Sequence, residues 1–200
     1  MILNLKKQII GLQGIYTLNQ HPHPRESIAI FPKTDTTYFA QSCIGRYHNQ
    51  DHQEFYIKTY YHPYNYRSMA EQRAFDALSK NNPPTNILVP IEIITQDQKI
   101  HSIYPSIIGK DLEEYSTQKR EFKTDLHQLF YILKSICSSL KYAHTQGIIH
   151  RDIKPANIFL QTDPHSPFNF KPILFDWDCS AKKDIIDTNY YLGTPAYSSP

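Results

Sequence analysis

The sequence predicts an α+β fold in which strands dominate the first half of the chain and helices the second. Three observations support this prediction. Short apolar runs separated by polar turns precede residue 105, apolar residues repeat with helical spacing over residues 125–146, and the 200 residues are 40% hydrophobic. That length and content suffice for one core or for two small lobes.

The first residues predict a short helix followed by a break. Apolar residues recur at near-helical spacing, so we expect a helix over residues 3–12. The His-Pro-His-Pro run at residues 21–24 then interrupts regular structure. Its two histidines could bind a metal, but no cysteine or carboxylate cluster accompanies them, so a solvated linker is the simpler interpretation. Residues 1–26 are predicted to form an N-terminal extension.

Five strands and one helix are predicted in the next part of the chain. The strands are expected at residues 27–31, 38–46, 54–61, 87–94 and 99–104. A helix follows the third strand, with Ser68 as its cap and Glu71 in its first turn. Apolar residues at helical spacing after Glu71 give that helix a face to bury.

A long helix is predicted over residues 125–146, because apolar residues recur there three and four positions apart. Gly147 is a good terminator for this helix. Its apolar face is expected to consist of Leu126, Leu129, Phe130, Leu133, Ile136, Leu140 and Ala143.

Composition excludes some partners and leaves others open. The net charge of +2 gives no argument for nucleic acid or for an anionic membrane surface as a partner. No apolar stretch approaches the roughly 20 residues that span a bilayer, and no signal peptide is recognised. Three scattered cysteines fit free thiols, so we expect a cytoplasmic location. Nothing decides whether the chain is instead a bacterial effector delivered to a host cell, and the oligomeric state is not legible.

The chemistry of the chain is concentrated in residues 150–157, His-Arg-Asp-Ile-Lys-Pro-Ala-Asn. Asp152 could accept the proton of an attacking hydroxyl, Lys154 could offset charge on a migrating phosphoryl group, and Asn157 could bind a metal ion. The string resembles the catalytic loop of protein kinases, H-R-D-x-x-x-x-N. Within that family, a lysine two positions after the aspartate is typical of the Ser/Thr-specific branch.

Two further motifs follow in the order that the same family has. Asp176-Trp177-Asp178 stands in the place of the kinase D-F-G segment, whose first aspartate binds Mg²⁺. Residues 193–200, Gly-Thr-Pro-Ala-Tyr-Ser-Ser-Pro, resemble the G-T-x-x-Y-x-A-P-E stretch that closes the activation segment. Thr194 matches the threonine that bonds the catalytic aspartate and lysine in Ser/Thr kinases. The resemblance implies a bilobal fold, with an antiparallel sheet and helix C in one lobe and a mainly helical second lobe.

The resemblance also assigns residues to ATP. Lys58, in Phe-Tyr-Ile-Lys of the third strand, resembles the lysine of V-A-I-K that contacts the α- and β-phosphates. Glu71 fits the helix-C glutamate that pairs with this lysine. The simpler interpretations are an exposed charge on a strand and an acid favoured by the helix dipole.

Residues 105–111 resemble the hinge between the lobes. The kinase domain, residues 27–200, is thereby divided into an N-lobe (27–104), the hinge and a partial C-lobe (112–200). Tyr104 would take the gatekeeper position and narrow the back of the adenine pocket, and adenine would bond to main-chain groups around Pro105 to Ile107. Asp111 falls where the family places an acid on the ribose hydroxyls.

Two neighbours of the catalytic aspartate also have counterparts in the family. His150 could be a general base, but the resemblance makes it a buried anchor of the loop. Arg151 could pair with a phosphate on the activation segment, whose candidate acceptors are Thr188, Tyr190 and Tyr191. The alternative is a segment that is ordered without phosphorylation.

Three departures from the family pattern bear on activity. The turn at residues 32–37, in the place of the glycine-rich loop, has no glycine; Asp178 replaces the glycine of D-F-G; and the sequence stops at Pro200, where the glutamate of A-P-E would follow. The last departure suggests either a fragment of a longer kinase or a shortened one, with apolar surface exposed beside the long helix.

The preferred interpretation is a kinase that uses ATP and Mg²⁺ to phosphorylate Ser or Thr of protein substrates. The alternatives are a pseudokinase acting as a protein-binding module and a small-molecule phosphotransferase of the kinase-like fold.

Overall fold

The computed structural model describes residues 8–18, 42–61, 65–80, 83–118, 125–184 and 193–197. The chain divides into two compact units, Met1–Met69 with Pro90–Ser106, and Ala70–Val89 with Ile107–Pro200. The predicted strand at 27–31, the predicted phosphate loop at 32–37, the residues of the predicted linker and the candidate phosphate acceptors lie outside the described residues.

The first unit contains a six-stranded antiparallel sheet. Its strands are β1 Gln8–Gly11, β2 Gly14–Leu18, β3 Ser42–His48, β4 Glu54–Tyr60, β5 Glu92–Gln96 and β6 Lys99–Pro105. They lie side by side in the order β1-β2-β3-β4-β6-β5. The β5–β6 hairpin turns at Asp97 and Gln98, which have φ values of 51° and 58°. Two positive φ values in a two-residue turn match the twist of the paired strands.

The core of this sheet lies on one face. Its buried members are Ile9, Tyr16, Tyr47, Phe55, Ile57 and Ile103. The β1–β2 hairpin reaches the opposite edge strand, β5, because the Glu92 carboxylate accepts hydrogen bonds from the Leu12 N–H and the Tyr16 hydroxyl. Burial, with the nearby Glu92 charge, raises the pKa of Tyr16 to about 12. The two edges of the sheet are therefore tied together around the core.

The helix predicted over residues 3–12 is wrong where the structure describes it, because Gln8–Gly11 is a strand. Ile9 is fully buried and Ile10 is 63% exposed, which is the alternation of a strand. The domain boundary after residue 26 stays a prediction, although β1 and β2, which precede it, pair into the sheet.

The other strand predictions that fall on described residues hold with one correction. The strands expected at 38–46, 54–61 and 99–104 correspond to β3, β4 and β6. The strand expected at 87–94 begins only at Glu92. Ile87 instead forms an isolated parallel bridge to Leu174. The segment predicted as one strand is therefore divided: Ile87 pairs with Leu174, and only the residues from Glu92 onward form β5.

The second unit combines helices with short strands. Its elements are β7 Gly109–Asp111, α2 Leu112–Gln118, α3 Leu126–Thr145, β8 Ile148–Ile149, β9 Ile158–Thr162, β10 Phe170–Leu174 and β11 Ala181–Lys182. Strand β9 lies between β10 and β7, and β8 pairs with β11. The helix α1, Tyr66–Leu78, begins in the first unit and ends in the second. Its last turns join the core of the second unit through Ala74 and Leu78.

The starts of two helices are fixed by side-chain caps. Asn65 caps α1, because its Oδ1 accepts a hydrogen bond of 2.8 Å from the Ser68 N–H. Ser68, predicted as the cap, lies inside the helix, and Glu71 lies beyond its first turn. Helix α3 begins as predicted after Asp125, whose Oδ1 accepts from the His127 N–H. It ends before Gly147, which has a φ of 75°.

The buried face of α3 agrees with the predicted one only in part. Ile136 and Ala143 are buried as predicted, together with Ile132 and Ser139, which the prediction did not include. Four residues of the predicted face are instead 38–66% exposed: Leu126, Leu129, Phe130 and Leu133. These four apolar side chains lie at the surface of α3. Among the described residues, no helix is both long and apolar enough to cross a membrane.

Candidate active site

The candidate site is built on the loop between β8 and β9. Arg151 has a φ of 66°, and Pro155–Asn157 form a single 3₁₀ turn closed by the Asn157 N–H on the Lys154 carbonyl. Proline suits the first position of that turn because its φ is fixed and it needs no hydrogen bond there. The loop therefore presents Asp152, Lys154 and Asn157 within one short segment.

Three side chains bond to the Asp152 carboxylate, and with Asp152 they form a network of four residues. Its Oδ1 accepts a hydrogen bond of 2.7 Å from the Thr194 hydroxyl. Its Oδ2 lies 2.9 Å from Lys154 Nζ and 3.1 Å from Asn157 Nδ2. Lys154 Nζ also donates to the Thr194 hydroxyl oxygen over 2.9 Å. The structure thus brings together all four residues predicted to be catalytic.

The network sets the ionisation of Asp152. Burial by itself would raise the pKa of this carboxyl group. The hydrogen bonds from Lys154 and Thr194, the Lys154 charge and the Asn157 amide outweigh burial, so the pKa lies below its usual value of 3.8. Asp152 is therefore a carboxylate at neutral pH.

His150 is an anchor of the loop, as the resemblance implied. Its Nδ1 accepts from the Asp152 N–H over 3.3 Å, and its Nε2 lies 2.9 Å from the Phe175 carbonyl oxygen. A neutral ring protonated on Nε2 satisfies both contacts. Burial, only partly opposed by the Phe175 carbonyl and neighbouring carboxylates, lowers the pKa of His150. Since both ring nitrogens are bonded to the main chain, His150 has no nitrogen left for acid–base catalysis.

The Asp176-Trp177-Asp178 segment lies beside this loop. The Phe175 N–H donates to the Asn157 main-chain carbonyl over 3.2 Å. Asp176 is the next residue in the chain after this contact with the loop. Asp176 has a φ of 64°, a left-handed conformation that aspartate tolerates better than most residues. Asp178 does not have a positive φ. Replacing the glycine of D-F-G by Asp178 therefore causes no left-handed strain at that position.

The residues present fit a hard divalent cation. The Asn157 amide nitrogen is used by Asp152, which directs the amide carbonyl oxygen away from that bond. Asp176 supplies a carboxylate, and the residue before it, Phe175, donates its N–H to the Asn157 main-chain carbonyl. Mg²⁺ takes oxygen ligands and is commonly bound by one or two side chains together with phosphates and water. The described residues contain no group of three or more His, Cys, Asp or Glu that could hold a metal by itself.

The residues predicted to contact ATP are distributed over both units. Lys58 is buried on β4 of the first unit, and Glu71 is buried on α1 in the second. Their pairing stays a prediction. Pro105 ends β6, Ile107 follows it in the loop before β7, and Asp111 ends β7. The Asp111 Oδ1 accepts from the Glu114 N–H over 2.7 Å, so this residue also caps α2.

Sequence reasoning missed the connections made by the main chain. The Arg151 Nε donates to the Cys179 carbonyl over 2.8 Å, and the Trp177 indole N–H donates to the Leu88 carbonyl over 3.1 Å. Asn86 was also missed, although it bonds to α3 through Ser135 and Ser139. Every residue has a main-chain carbonyl, so a sequence does not indicate which carbonyl accepts a side-chain hydrogen bond. Only Trp177, the single tryptophan of the chain, signalled such a bond, because a buried indole N–H needs an acceptor.

Comparison with known proteins agrees with this geometry. Residues 41–200 match the family model of the protein kinase domain. The match covers most of the chain and includes all the residues of the Asp152 network. The chain belongs to the protein kinase family.

Individual relatives are similar over parts of the chain. It is 32% identical over 119 residues to "Probable serine/threonine-protein kinase fhkC" of Dictyostelium discoideum, covering 58% of this chain and 18% of the relative. It is 28% identical over 115 residues to "Calcium-dependent protein kinase 5" of Plasmodium berghei, covering 54% and 19%. It is 25% identical over 161 residues to "MAP kinase-interacting serine/threonine-protein kinase 2" of Xenopus laevis, covering 80% and 32%. The chain thus spans about a third or less of these relatives.

Proposed function

We propose that this chain is the catalytic part of a protein Ser/Thr kinase, which transfers the terminal phosphoryl group of ATP to a hydroxyl of a protein. The observation that carries the proposal is the closed network of Asp152, Lys154, Asn157 and Thr194. It joins the catalytic loop to a residue of the activation segment, and each member suits a step of phosphoryl transfer.

Asp152 orients the attacking hydroxyl and accepts its proton. A general base must be unprotonated and within reach of the proton that it takes. The lowered pKa of Asp152 meets the first condition at every physiological pH. Its bonds to Thr194 and Lys154 hold the carboxylate in one orientation, which supports the second.

Lys154 stabilises negative charge on the transferred phosphoryl group. Its side chain is about one-quarter exposed, and the distances from Nζ to Asp152 and Thr194 are both 2.9 Å. A cation that is already held in place needs no reorganisation when charge develops. Thr194 thereby serves both partners, since its hydroxyl donates to Asp152 and accepts from Lys154.

Asn157 and Asp176 would hold Mg²⁺ through their side-chain oxygens. When bound, Mg²⁺ neutralises negative oxygens of the nucleotide phosphates and orients them for transfer. The chain's own contribution is rigidity: Asn157 is fixed by Asp152, and the residue before Asp176 is fixed by Asn157.

Specificity for Ser and Thr is supported by two features. Lys154 and Thr194 are the pair that the resemblance associates with Ser/Thr kinases, and they are in hydrogen-bond contact. Two of the three relatives described above are named as serine/threonine-protein kinases. The nucleotide contacts assigned to Lys58, Glu71, Pro105, Ile107 and Asp111 belong to the same proposal.

A pseudokinase is the second candidate, and Asp178 is the observation that favours it. This carboxylate is 3% exposed, and a buried negative charge close in sequence to Asp176 could repel nucleotide phosphates. The absence of left-handed strain at Asp178 removes one argument for inactivity but leaves the charge in place.

The test is transfer of radiolabelled phosphate from ATP, with Mg²⁺, to a mixed library of Ser-, Thr- and Tyr-containing peptides. The 200-residue chain and any longer natural product would be compared. Asp152→Asn should abolish transfer, while Asp51→Asn, a change in an exposed hairpin turn, should not. Label on Ser and Thr is the expected result. A folded, full-length protein that transfers no phosphate would support the pseudokinase, and label on Tyr alone would overturn the specificity.

A further inference from the structure

The tryptophan of the Asp176-Trp177-Asp178 segment makes a bond that phenylalanine could not make. Its indole Nε1–H donates to the Leu88 carbonyl oxygen over 3.1 Å. The family pattern has phenylalanine in this position, which packs but has no polar hydrogen. Trp177 is fully buried, so an indole N–H without an acceptor would be costly there. Both the side chain and its bond are therefore features of this chain.

Leu88 is itself held against the same segment. Its N–H donates to the Leu174 carbonyl over 2.9 Å, and the Leu174 N–H donates to the Asn86 carbonyl over 2.9 Å. The bond from Trp177 extends this pairing by one more contact. Residues 86–88 and residues 174–177 are thus joined along their length.

The other side of residues 86–88 is tied to the long helix. The Asn86 Nδ2 donates to the Ser135 carbonyl over 2.6 Å, and the Ser139 hydroxyl donates to the Asn86 carbonyl over 2.9 Å. Ser139 is fully buried on α3. The Trp177 indole is therefore bonded to residues 86–88, and these residues are bonded in turn to the 20-residue helix α3.

Asp176 needs such support because of its backbone. A non-glycine residue at a φ of 64° persists only where its surroundings hold it. On one side, Phe175 is bonded through its N–H to Asn157 and through its carbonyl to His150. On the other side stands Trp177, whose ring centroid lies 4.5 Å from that of His150.

We propose that Trp177 is a positioning residue for the metal-binding carboxylate: its indole N–H, bonded to the Leu88 carbonyl, holds Asp176 in its left-handed conformation. This proposal rests on the proposed function, because Asp176 matters as a ligand only if the chain uses Mg²⁺. The segment is then kept in one conformation by a bond of its own, in addition to the packing of an aromatic ring.

The sharpest test replaces Trp177 by 3-benzothienylalanine, which keeps the size and shape of indole but has sulfur in place of the N–H. Trp177→Phe serves as a second variant that also shortens the ring. Phe170→Leu is the matched control, because Phe170 is buried in the same core and contacts Tyr115 and Tyr131 instead.

Two quantities would be measured on each variant. The first is amide hydrogen exchange in peptides covering residues 173–180 and, separately, α3. The second is the Mg²⁺ concentration that gives half-maximal phosphate transfer, alongside kcat. We expect exchange at residues 173–180 to accelerate about 3- to 10-fold in both Trp177 variants, the effect of one lost hydrogen bond, with α3 unchanged. The half-maximal Mg²⁺ concentration should rise by a similar factor and kcat should change less.

The outcomes separate the two proposals. Unchanged exchange at residues 173–180 in the benzothienylalanine variant would overturn the role of the N–H. Acceleration that spreads equally to α3, as expected for Phe170→Leu, would mean that Trp177 only fills space. If the folded, full-length wild-type protein transfers no phosphate, the proposed function fails, and the exchange measurement still decides whether the indole bond holds the segment.

Discussion

At the scale of single residues, the ionisation of Asp152 depends on neighbours that lie far apart in sequence. Thr194 is separated from it by 42 positions, and yet both Thr194 and Lys154 bond to its carboxylate. Burial opposes the charged form, and these partners restore it. Removing one partner should therefore raise the pKa of Asp152 and lower the stability of the fold.

Lys154→Met tests this dependence through pH. The carboxylate of Asp152 has a lowered pKa when folded, so its stabilising effect is present above the ordinary value of 3.8 and is lost as pH falls through the lowered pKa. We expect Lys154→Met to reduce the free energy of unfolding by about 1–2 kcal/mol at pH 7, because the pair is partly exposed. The difference should shrink towards pH 3, where the carboxyl group is increasingly protonated.

Denaturant unfolding at several pH values would measure this effect, with Lys171→Met as a control on strand β10. A difference between wild type and Lys154→Met that stays constant from pH 7 to pH 3 would show that the lysine acts through its packing and not through the Asp152 charge.

The site residues could be predicted because their types and spacing carry the chemistry. Asp152, Lys154, Asn157 and Thr194 were all identified from motifs, and the structure brings them into contact. The capping of α1 was assigned to Ser68 instead of Asn65, since both residue types favour that position and only the fold decides where the helix starts. Asp178 replaces the glycine of D-F-G, but the positive φ in this segment is at Asp176.

At the scale of elements, periodicity predicted the existence of α3 but not its orientation. Of the predicted apolar face, the structure buries Ile136 and Ala143 and leaves Leu126 and Phe130 exposed. The buried stripe continues instead through Ile132, which the prediction did not include. Packing partners from elsewhere in the chain make this choice, and they leave no trace in the helix's own sequence. For β1, a few apolar residues fitted a helical repeat, and pairing with β2 and bonds to β5 determined a strand instead.

The β1–β2 hairpin offers a prediction about an element. A Cβ atom on Gly11 would lie 2.7 Å from Glu92 Oε2 and 2.9 Å from Tyr16 Cε2. Gly11→Ala should therefore disturb the contact of the hairpin with β5 and lower the free energy of unfolding by about 1–3 kcal/mol, as overpacking does. The measurement is thermal or denaturant unfolding, followed by absorbance titration of tyrosine, in which the group with a pKa of about 12 should shift towards 10.

Gly14→Ala is the matched control in the same hairpin. Nothing lies within 4 Å of a Cβ atom built there, but its φ of 127° is strained for any other residue. We expect it to cost stability without moving the tyrosine titration. If both variants leave that titration unchanged, the hairpin does not depend on the contact between Gly11 and Glu92.

At the scale of the whole molecule, the two units have separate cores. The first is formed by strand residues such as Tyr16, Ile57 and Ile103, and the second by helix and strand residues such as Ile136, Leu160 and Trp177. The two clusters share no residue. The α+β class was predictable, because strand and helix patterns occupy different halves of the sequence. The contribution of residues 8–18 to the first unit was not, because pairing with distant strands is not encoded in local periodicity.

Separate cores predict that damage to one unit is felt first within that unit. Ile57 is fully buried in the first core and Ile136 is 5% exposed in the second. Each should lose about 2–4 kcal/mol on replacement by alanine, through lost burial and the cavity that remains. Amide hydrogen exchange would locate the loss: Ile57→Ala should accelerate exchange in β4 and β6 more than in α3, and Ile136→Ala should do the reverse. Equal acceleration throughout the chain in both variants would mean that the two cores unfold as one cooperative structure, so that Lys58 of the first unit and Asp152 of the second would share a single stability.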